Sequence, residues 1–402
     1  MSLAKNVDFL GHLRKLNGFG GLAAYGRTLA PAVDSPLIET MEFGSNPGAL
    51  RMLSFVPEQL PRGAGLVVVL HGCGQTAAGY DLGAGWSTLA KHYGFALLMP
   101  EQQASNNANT CFNWFAAEDT ARGQGEACSI RQMIARMVID HKLDSRRIHI
   151  TGLSAGGAMT SVMLAAYPDV FSAGAIIAGL PFGIAANVRE ALSGMMQPSP
   201  RPSNELGDLV RNATKHKGPW PKVSVWHGSA DRTVNPANAD EIVKQWLDLH
   251  GLPLAPMSKA KVDGYPREVW WNADGETVVE SYTITDMAHG TPLGIADNDE
   301  RYGAAGAFLI EAGISSSYHI AKFFGLTDRL RQPRAAPTGI SRERPDTIAL
   351  TVLVPAPEPD LAPRRQRPAP SRPAKRPRTL RSRAMDVGDV ITRALTAAGL
   401  MK

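Results

Sequence analysis

The pentapeptide Gly152-Leu153-Ser154-Ala155-Gly156 constrains the fold of this chain more than any other stretch. It lies between a strand-like run at 147–151 and a helix-like run at 158–167. A serine in a tight turn between strand and helix, with glycines on both sides, is the pattern of a nucleophile elbow. The motif is weak by itself, because the chain contains 39 glycines. It predicts a reactive serine only if other residues supply a base, an acid and oxyanion donors.

Strand and helix patterns alternate along the chain. The run at 65–70 (GLVVVL) is continuously apolar and β-branched, as is typical of a central parallel strand. Further strands are predicted at 50–56, 95–99, 173–178, 223–226, 267–271 and 277–284, and helices at 86–93, 129–141, 236–249 and 316–324. This alternation predicts an α/β fold with a mostly parallel central sheet and helices on both faces.

Four segments are predicted. Residues 1–40 form an N-terminal arm of unassigned role with a short helix near 7–16, and residues 41–330 form the catalytic domain. Within that domain, the Pro/Ser-rich stretch at 181–221 interrupts the alternation and is interpreted as an irregular cap or lid. Residues 331–385 are rich in Pro and Arg and are predicted to be a disordered linker, and residues 386–400 a short amphipathic helix.

The basic charge of the chain is concentrated in its C-terminal tail. The formal net charge is +5, yet residues 364–383 alone carry nine Lys or Arg and no acid, so the remainder is net acidic. The tail therefore predicts no specific nucleic-acid site. It is interpreted as a solvated linker with a docking helix, or as an attachment to an anionic surface such as a granule or membrane. Neither a transmembrane run nor a signal peptide is predicted.

An acid and a base follow two later strands. In parallel α/β sheets the functional residues lie beyond the carboxyl ends of the strands. Asp231 follows the strand that ends near Trp226, and His289 follows the strand that ends near Ile284. The chain order Ser154, Asp231, His289 is that of the α/β-hydrolase fold. It predicts a catalytic triad in which the acid orients the base and the base activates the serine.

Several other residues are candidates for these roles. Asp240 and Asp286 compete as the acid, but neither follows a separate strand end as naturally. His71 and His227 also lie at strand ends, although each precedes a glycine in a motif with another explanation. A nucleophilic Cys73 would need a complete rival site. No H-E-x-x-H pattern or clustered Cys/His spacing occurs, so no metal and no cofactor are expected.

Two backbone N–H groups are candidates for an oxyanion hole. The amide of Ala155 follows the candidate nucleophile directly. The second donor is expected in the glycine-containing loop after the GLVVVL strand, and the N–H of Cys73 is the candidate there. The alternative interpretation of this loop is a simple tight turn between strand and helix.

Six separated motifs together resemble one family. They are LHGCGQTA at 70–77, CFNWF at 111–115, GLSAGG at 152–157, WHGSADRTV at 226–234, AHGTPL at 288–293 and ISSSYHIAKFFGL at 314–326. Over about residues 40–330 the chain resembles the polyhydroxybutyrate-depolymerase-type esterases, which are α/β-hydrolases related to feruloyl and acetylxylan esterases. The resemblance implies a serine esterase without a cofactor that acts on carboxylic esters, often in polymers.

The resemblance also implies roles for cysteine and tryptophan residues. It places the family's oxyanion-loop cysteine at Cys73 and suggests a disulfide from Cys73 to Cys111, which would leave Cys128 free. Trp114 and Trp226 would line the substrate cleft, with core packing as the alternative.

The predicted function is hydrolysis of polyhydroxyalkanoate polymers or oligomers through an acyl-enzyme. The alternatives are a feruloyl or acetylxylan esterase, a small-ester carboxylesterase and, more distantly, a surface- or nucleic-acid-binding protein that acts through its basic tail. The resemblance implies an extracellular protein, whereas the missing signal sequence is equally compatible with the cytoplasm. The sequence predicts no oligomeric state.

Overall fold

A computed structural model describes residues 35–327 of the 402-residue chain. The predicted helix near 7–16, the linker at 331–385 and the helix at 386–400 lie outside the described residues. The end of the predicted N-terminal arm is described, and it forms the first strand, β1.

Within residues 35–327, ten strands form one sheet in the order β1-β2-β4-β3-β5-β6-β7-β10-β9-β8. They are β1 (Ile38–Thr40), β2 (Arg51–Phe55), β3 (Leu66–Leu70), β4 (Ala96–Glu101), β5 (Ile148–Leu153), β6 (Ala173–Ile177), β7 (Lys222–Gly228), β8 (Ser258–Val262), β9 (Tyr265–Trp271) and β10 (Thr277–Ile284). The six strands from β4 to β10 in this order are parallel, and two antiparallel strands border them at each end. The prediction of a mostly parallel sheet is confirmed.

Nine described helices and one small sheet complete the fold. The helices are α1 (Ala77–Ala84), α2 (Trp86–Tyr93), α3 (Ala117–Thr120), α4 (Gly125–His141), α5 (Ala155–Ala166), α6 (Val188–Met196), α7 (Ser203–Ala213), α8 (Ala237–His250) and α9 (Ser316–Phe323). Strands β11 (Thr291–Leu293) and β12 (Leu309–Glu311) pair in parallel. None of these helices is both long and apolar enough to span a bilayer.

Both faces of the sheet are buried. In β3, Leu66, Val68 and Leu70 pack into the hydrophobic cluster that α4, α5 and α8 cover. The alternate residues Val67 and Val69 pack into a second cluster with α1, α2 and α9. Because side chains alternate between faces along a strand, a strand covered on both sides must be apolar throughout, which explains the unbroken GLVVVL run.

The segment at 181–221 differs from its prediction, because it contains the two helices α6 and α7 rather than irregular chain. Leu206 and Val210 of α7 are buried. Gln245 of α8 fixes the segment through its side-chain amide, which accepts from Phe182 N at 2.9 Å and donates to the carbonyls of Phe182 and Leu206 at 3.0 and 2.9 Å. Prolines beside both helices account for the wrong prediction, since they obscure the helical pattern.

The predicted helix at 129–141 also begins earlier, at Gly125. Ser129 is not its N-cap. Its hydroxyl accepts a hydrogen bond from Gly48 N at 2.8 Å and so joins α4 to the chain before β2. The short helix α1 and the edge strand β8 were not predicted.

The parallel strands bring distant parts of the chain to one edge of the sheet. Leu70 of β3 pairs with Gly152 of β5, and Leu153 pairs with Ile177 of β6. Ile284 of β10 pairs with Gly228 of β7. The loops that follow β3, β5, β7 and β10 therefore leave the sheet at the same edge, where the candidate site lies.

Candidate active site

Ser154 lies in the turn between β5 and α5 with φ 58° and ψ −117°, a conformation that side-chain-bearing residues rarely adopt. Its amide donates to Ile177 O at 2.9 Å, which fixes the turn against β6. Residues on either side of Ser154 are buried, whereas Ser154 itself is partly exposed. This strained turn presents a single hydroxyl at the edge of the sheet, as a nucleophile elbow does.

Two glycines of the pentapeptide are required by close backbone contacts. A Cβ atom on Gly152 would lie 2.3 Å from Gly156 O, and a Cβ atom on Gly156 would lie 2.4 Å from Leu70 O. Neither contact can be relieved by a side-chain movement, since the neighbouring atoms belong to the backbone. The turn can therefore close against β3 only with glycine at both positions.

His289 and Asp231 are in direct contact. His289 Nδ1 lies 2.7 Å from Asp231 Oδ2, and both side chains are buried. The two loops that carry them are joined by backbone hydrogen bonds, from Ser229 N to Ile284 O at 2.9 Å and from Ala230 N to Met287 O at 3.0 Å. Because Nδ1 must donate to the carboxylate, the Nε2 atom of His289 is left as the proton acceptor.

The Asp231 carboxylate is surrounded by donors. Oδ1 accepts from Thr233 N at 2.8 Å and from Val234 N at 2.9 Å. Oδ2 lies 3.2 Å from His227 Nε2 in addition to its contact with His289. Burial raises the pKa of this carboxyl, but the hydrogen bonds from His227 and His289 outweigh burial and hold the pKa well below its ordinary value. Asp231 is therefore a stable anion beside His289.

Ser154 reaches the same edge of the sheet as Asp231 and His289. Among the described residues, no hydrogen bond joins its hydroxyl to His289. Such bonds are often long without substrate and tighten when substrate binds. The structure thus brings the candidate acid and the candidate base together, and it presents the candidate nucleophile separately in its own turn.

The rival residues occupy other positions. Asp286 and Asp240 are exposed, and neither carboxylate contacts His289. His71 is fully buried, and its Nδ1 lies 2.8 Å from Gly72 O while its Nε2 accepts from Gln102 N at 3.1 Å. Burial lowers the pKa of His71, so this ring is a neutral brace beneath the oxyanion loop.

The two candidate oxyanion donors have unused N–H groups. Within residues 35–327, neither Cys73 N nor Ala155 N has a protein acceptor, whereas the amides on both sides of Cys73 do. Gly72 N donates to Gln75 Oε1 at 2.8 Å, and Gly74 N donates to Asn109 O at 2.8 Å. Fixing the neighbours and leaving one amide free is the arrangement that an oxyanion donor needs.

A disulfide joins Cys73 to Cys111, with their Cα atoms 4.3 Å apart. It connects the oxyanion loop to the CFNWF segment. Cys128, on α4, is a free and partly buried thiol.

The CFNWF segment is held by a buried glutamate, Glu126, that no sequence motif indicated. Glu126 accepts from Asn113 N at 2.9 Å, from Asn113 Nδ2 at 2.7 Å and from Gln102 Nε2 at 2.5 Å. Gln102 also donates from its backbone to His71. Burial, with a smaller contribution from the charge of Asp119, raises the pKa of Glu126 to about 8. This network therefore connects the oxyanion loop to α4.

The prediction that Trp226 lines the substrate cleft is wrong. Trp226 is fully buried, its ring stacks on Tyr282 with centroids 3.8 Å apart, and its Nε1 donates to Ser224 Oγ at 2.8 Å. Since β7 is covered on both faces, this position belongs to the core.

Trp114 is 8% exposed and packs edge-on against Phe115. Its substrate contact stays a prediction.

Phe308 is a further neighbour of His289 that no sequence motif indicated. Its ring centroid lies 5.9 Å from that of His289 in an edge-on arrangement. It is partly exposed, and its backbone adopts φ 62°, which is unusual for a bulky residue. The ring of Phe308 therefore lies next to the candidate base and forms part of the wall of the site.

One group of described side chains could approach a cation. The ligand atoms of Asp263, Asp297 and His319 lie within 4.8 Å of one another. His319 Nε2 is already 2.8 Å from Asp263 Oδ2, and Lys322 Nζ lies 2.7 Å from Asp297 Oδ2. The ammonium group supplies the positive charge that a metal would bring to this cluster.

The family model and the sequence relatives that match this chain indicate the same family. The family model described as Esterase PHB depolymerase matches residues 53–269. Poly(3-hydroxyalkanoate) depolymerase C of Paucimonas lemoignei is 45% identical over 291 residues, which cover 72% of this chain and 70% of that protein. Feruloyl esterase B of Thermothelomyces thermophilus is 33% identical over 265 residues, which cover 64% of this chain and 87% of that protein.

A solved structure supports the same fold. Acetyl xylan esterase from Aspergillus awamori superimposes with a TM-score of 0.62 at 23% identity, over 72% of this chain and 99% of that one. The sequence relatives are ester hydrolases, and the sheet order, the elbow and the Asp231–His289 pair occur here in one α/β-hydrolase fold. The chain therefore belongs to the Esterase PHB depolymerase family, a group of ester hydrolases.

Proposed function

We propose that the chain is a serine esterase that works through an acyl-enzyme, with Ser154 as nucleophile, His289 as base and Asp231 as the acid that orients it. The observation that carries this proposal is the 2.7 Å hydrogen bond from His289 to Asp231 at the sheet edge where Ser154 is presented. It is supported by the strained elbow conformation of Ser154.

The reaction follows from these positions. His289 Nε2 takes the proton of Ser154 as its hydroxyl oxygen attacks the ester carbonyl carbon. The N–H groups of Cys73 and Ala155 donate to the oxygen that becomes negative. The protonated His289 then gives its proton to the departing alcohol. Water, deprotonated by His289, attacks the carbonyl carbon of the acyl group, and the bond from that carbon to the Ser154 oxygen breaks. His289 returns the proton to this oxygen, which releases the acid and restores the enzyme.

We propose poly(3-hydroxyalkanoate) chains or their oligomers as the substrate. The support is the 45% identity to a poly(3-hydroxyalkanoate) depolymerase over most of both chains. The partly exposed ring of Phe308 beside His289 gives the site an apolar aromatic surface, which suits short aliphatic acyl units. The segment at 181–221 remains our candidate for a cap that limits the length of the bound chain.

Feruloyl esters are the second candidate, because a feruloyl esterase is 33% identical over 64% of this chain. Acetylated xylan and small esters belong in the same comparison.

The attachment of the basic tail at 331–400 to an anionic surface also remains a proposal. Truncation after Leu330 should abolish such attachment and leave hydrolysis of soluble esters unchanged.

The substrate is tested by measuring kcat/KM on 3-hydroxybutyrate trimers and tetramers, ethyl ferulate, acetylated xylan and p-nitrophenyl butyrate. Ser154→Ala serves as the control for each. We expect the hydroxybutyrate oligomers to have the highest kcat/KM and every activity to disappear in Ser154→Ala. A higher kcat/KM on ethyl ferulate would transfer the assignment to the feruloyl esterases, and full activity of Ser154→Ala would refute the serine mechanism.

A further inference from the structure

Two histidines, His289 and His227, contact the carboxylate of Asp231, and the proposed reaction uses only His289. Oδ2 lies 2.7 Å from His289 Nδ1 and 3.2 Å from His227 Nε2. Oδ1 is occupied by the amides of Thr233 and Val234. Since the side chain of Asp231 is fully buried, the two imidazoles and two amides are what replaces water around this anion.

The neighbours of His227 define its tautomer. Its Nε2 lies 2.9 Å from Val234 O, and a carbonyl can only accept, so Nε2 carries the hydrogen. That hydrogen is shared between Val234 O and Asp231 Oδ2. The other ring nitrogen, Nδ1, is buried and has no hydrogen-bond partner among the described residues. A second proton there would leave a buried N–H unpaired, which is costly. The Nε2 hydrogen of His227 is thus directed at Val234 O and Asp231 Oδ2.

The position of His227 follows from its strand. It is the penultimate residue of β7, four residues before Asp231, and its ring is 4% exposed. The chain from Gly228 to Val234 folds back over the ring, so that Nε2 contacts both Asp231 Oδ2 and Val234 O. Asp240, on α8, is a further charged group near His227, although burial is the main cause of the raised pKa of Asp240.

On the basis of the proposed triad, we infer that His227 is a positioning residue. It holds Asp231 Oδ2 in line with His289 and withdraws part of the carboxylate charge, which limits how strongly Asp231 stabilises the imidazolium form of His289. Each histidine takes one lone pair of Oδ2. Without the second donor, Oδ2 would interact with His289 alone, and only the amides of Thr233 and Val234 on Oδ1 would still fix the orientation of the carboxylate.

Two amide substitutions separate this role from simple packing. In His227→Gln, the side-chain NH2 reaches the position of Nε2 and restores a donor to Asp231. In His227→Asn, the shorter NH2 group reaches the position of Nδ1 instead, so the donor to Asp231 is lost. Both side chains are neutral and polar, and circular dichroism with thermal unfolding reports whether each variant folds.

The measurement is the pH profile of kcat and KM for p-nitrophenyl butyrate between pH 5 and pH 9. We expect His227→Asn to lower kcat by about tenfold or more with little change in KM, the scale seen when a group that orients a reacting residue is removed. Its acidic limb should move upward, because a carboxylate that no longer shares its charge with a second histidine favours the protonated form of His289. His227→Gln should stay close to the wild-type profile.

Asp231→Asn and Ser154→Ala, measured in the same assay, distinguish failure of the inference from failure of the triad. If both of these lose activity while folded His227→Asn keeps the wild-type kcat and pH profile, the inference about His227 is wrong and the triad stands. Equal losses in His227→Gln and His227→Asn, without a shift of the profile, would also overturn it. Retained activity in Asp231→Asn would contradict the triad itself.

Discussion

His289 Nδ1 lies 2.7 Å from Asp231 Oδ2, although 58 residues separate them in the chain. The contact exists because the two residues follow β7 and β10, which are parallel neighbours whose last residues pair. Backbone bonds between the two loops keep the contact in place. The sheet thus brings Asp231 and His289 together at the edge where Ser154 follows β5.

Replacing Asp231 by asparagine should lower kcat for p-nitrophenyl butyrate by about 10⁴-fold with little change in KM, as expected when an amide favours the wrong tautomer of the base. The matched control is Asp286→Asn, an exposed aspartate three residues before His289. This control should retain wild-type kcat. A comparable loss in Asp286→Asn, or none in Asp231→Asn, would identify a different acid.

Removing the disulfide through Cys111→Ser leaves the backbone amide of Cys73 present but less fixed. We expect the free energy of unfolding to fall by about 3–4 kcal/mol, the chain-entropy value for a loop of this length. The kcat should fall about tenfold, because one oxyanion donor loses its alignment. Urea unfolding and steady-state kinetics measure the two effects.

The control for the disulfide is Cys128→Ser, which should change neither quantity. Thiol titration of the unfolded, unreduced wild type should detect one free thiol per chain. Three free thiols, or unchanged stability and kcat in Cys111→Ser, would contradict the bracing role of the disulfide.

The buried carboxyl of Glu126 should make stability depend on pH. Its folded pKa of about 8 exceeds the unfolded value of 4.5, so the folded state binds more protons between these values. The free energy of unfolding then declines as pH rises from about 4.5 to 8 and levels off above that range. Below about pH 4.5 Glu126 is protonated in both the folded and the unfolded state, so its contribution to the free energy of unfolding no longer changes with pH.

Glu126→Gln removes this titration. Between about pH 4.5 and 8, the free energy of unfolding of the wild type should fall relative to that of the variant. The fall should be up to about 1.4 kcal/mol for each pH unit. Urea unfolding at a series of pH values measures it. The three donors that converge on Glu126 make the variant less stable at low pH. A difference independent of pH would show that Glu126 does not titrate there.

Gly156→Ala tests the closeness of the elbow to β3. Its Cβ would meet Leu70 O at 2.4 Å and His71 O at 2.5 Å, so the turn must open. We expect a loss of about 1–3 kcal/mol in stability, as for overpacking of a core, and a loss of nearly all activity. Gly306→Ala, whose nearest neighbour would be Leu309 Cδ1 at 3.5 Å, should behave as the wild type. Normal kcat in Gly156→Ala would show that the elbow tolerates the displacement.

The strands and the positions of Ser154, Asp231 and His289 could be predicted because they obey local rules. Buried parallel strands are continuous apolar runs, and reactive residues follow their carboxyl ends. The order of the parallel strands could not be predicted, because it depends on long-range pairing.

Other features depend on contacts across the fold. Trp226 was misjudged because strand periodicity does not separate a core position from a cleft position when both faces are covered. Glu126 and Phe308 were missed because their partners are Asn113 and His289, which lie elsewhere in the fold. His227 was set aside as part of a glycine motif, whereas its partner proved to be Asp231 itself.

The most direct test of the account is covalent labelling with diethyl p-nitrophenyl phosphate, which phosphorylates an activated serine irreversibly. The protein should release one p-nitrophenol per chain, lose esterase activity in proportion, and carry one diethylphosphoryl group on the peptide that contains Ser154 by mass spectrometry. Ser154→Ala should remain unlabelled. Full activity after prolonged treatment, or loss of activity with the label on another residue and Ser154 unmodified, would contradict the serine mechanism.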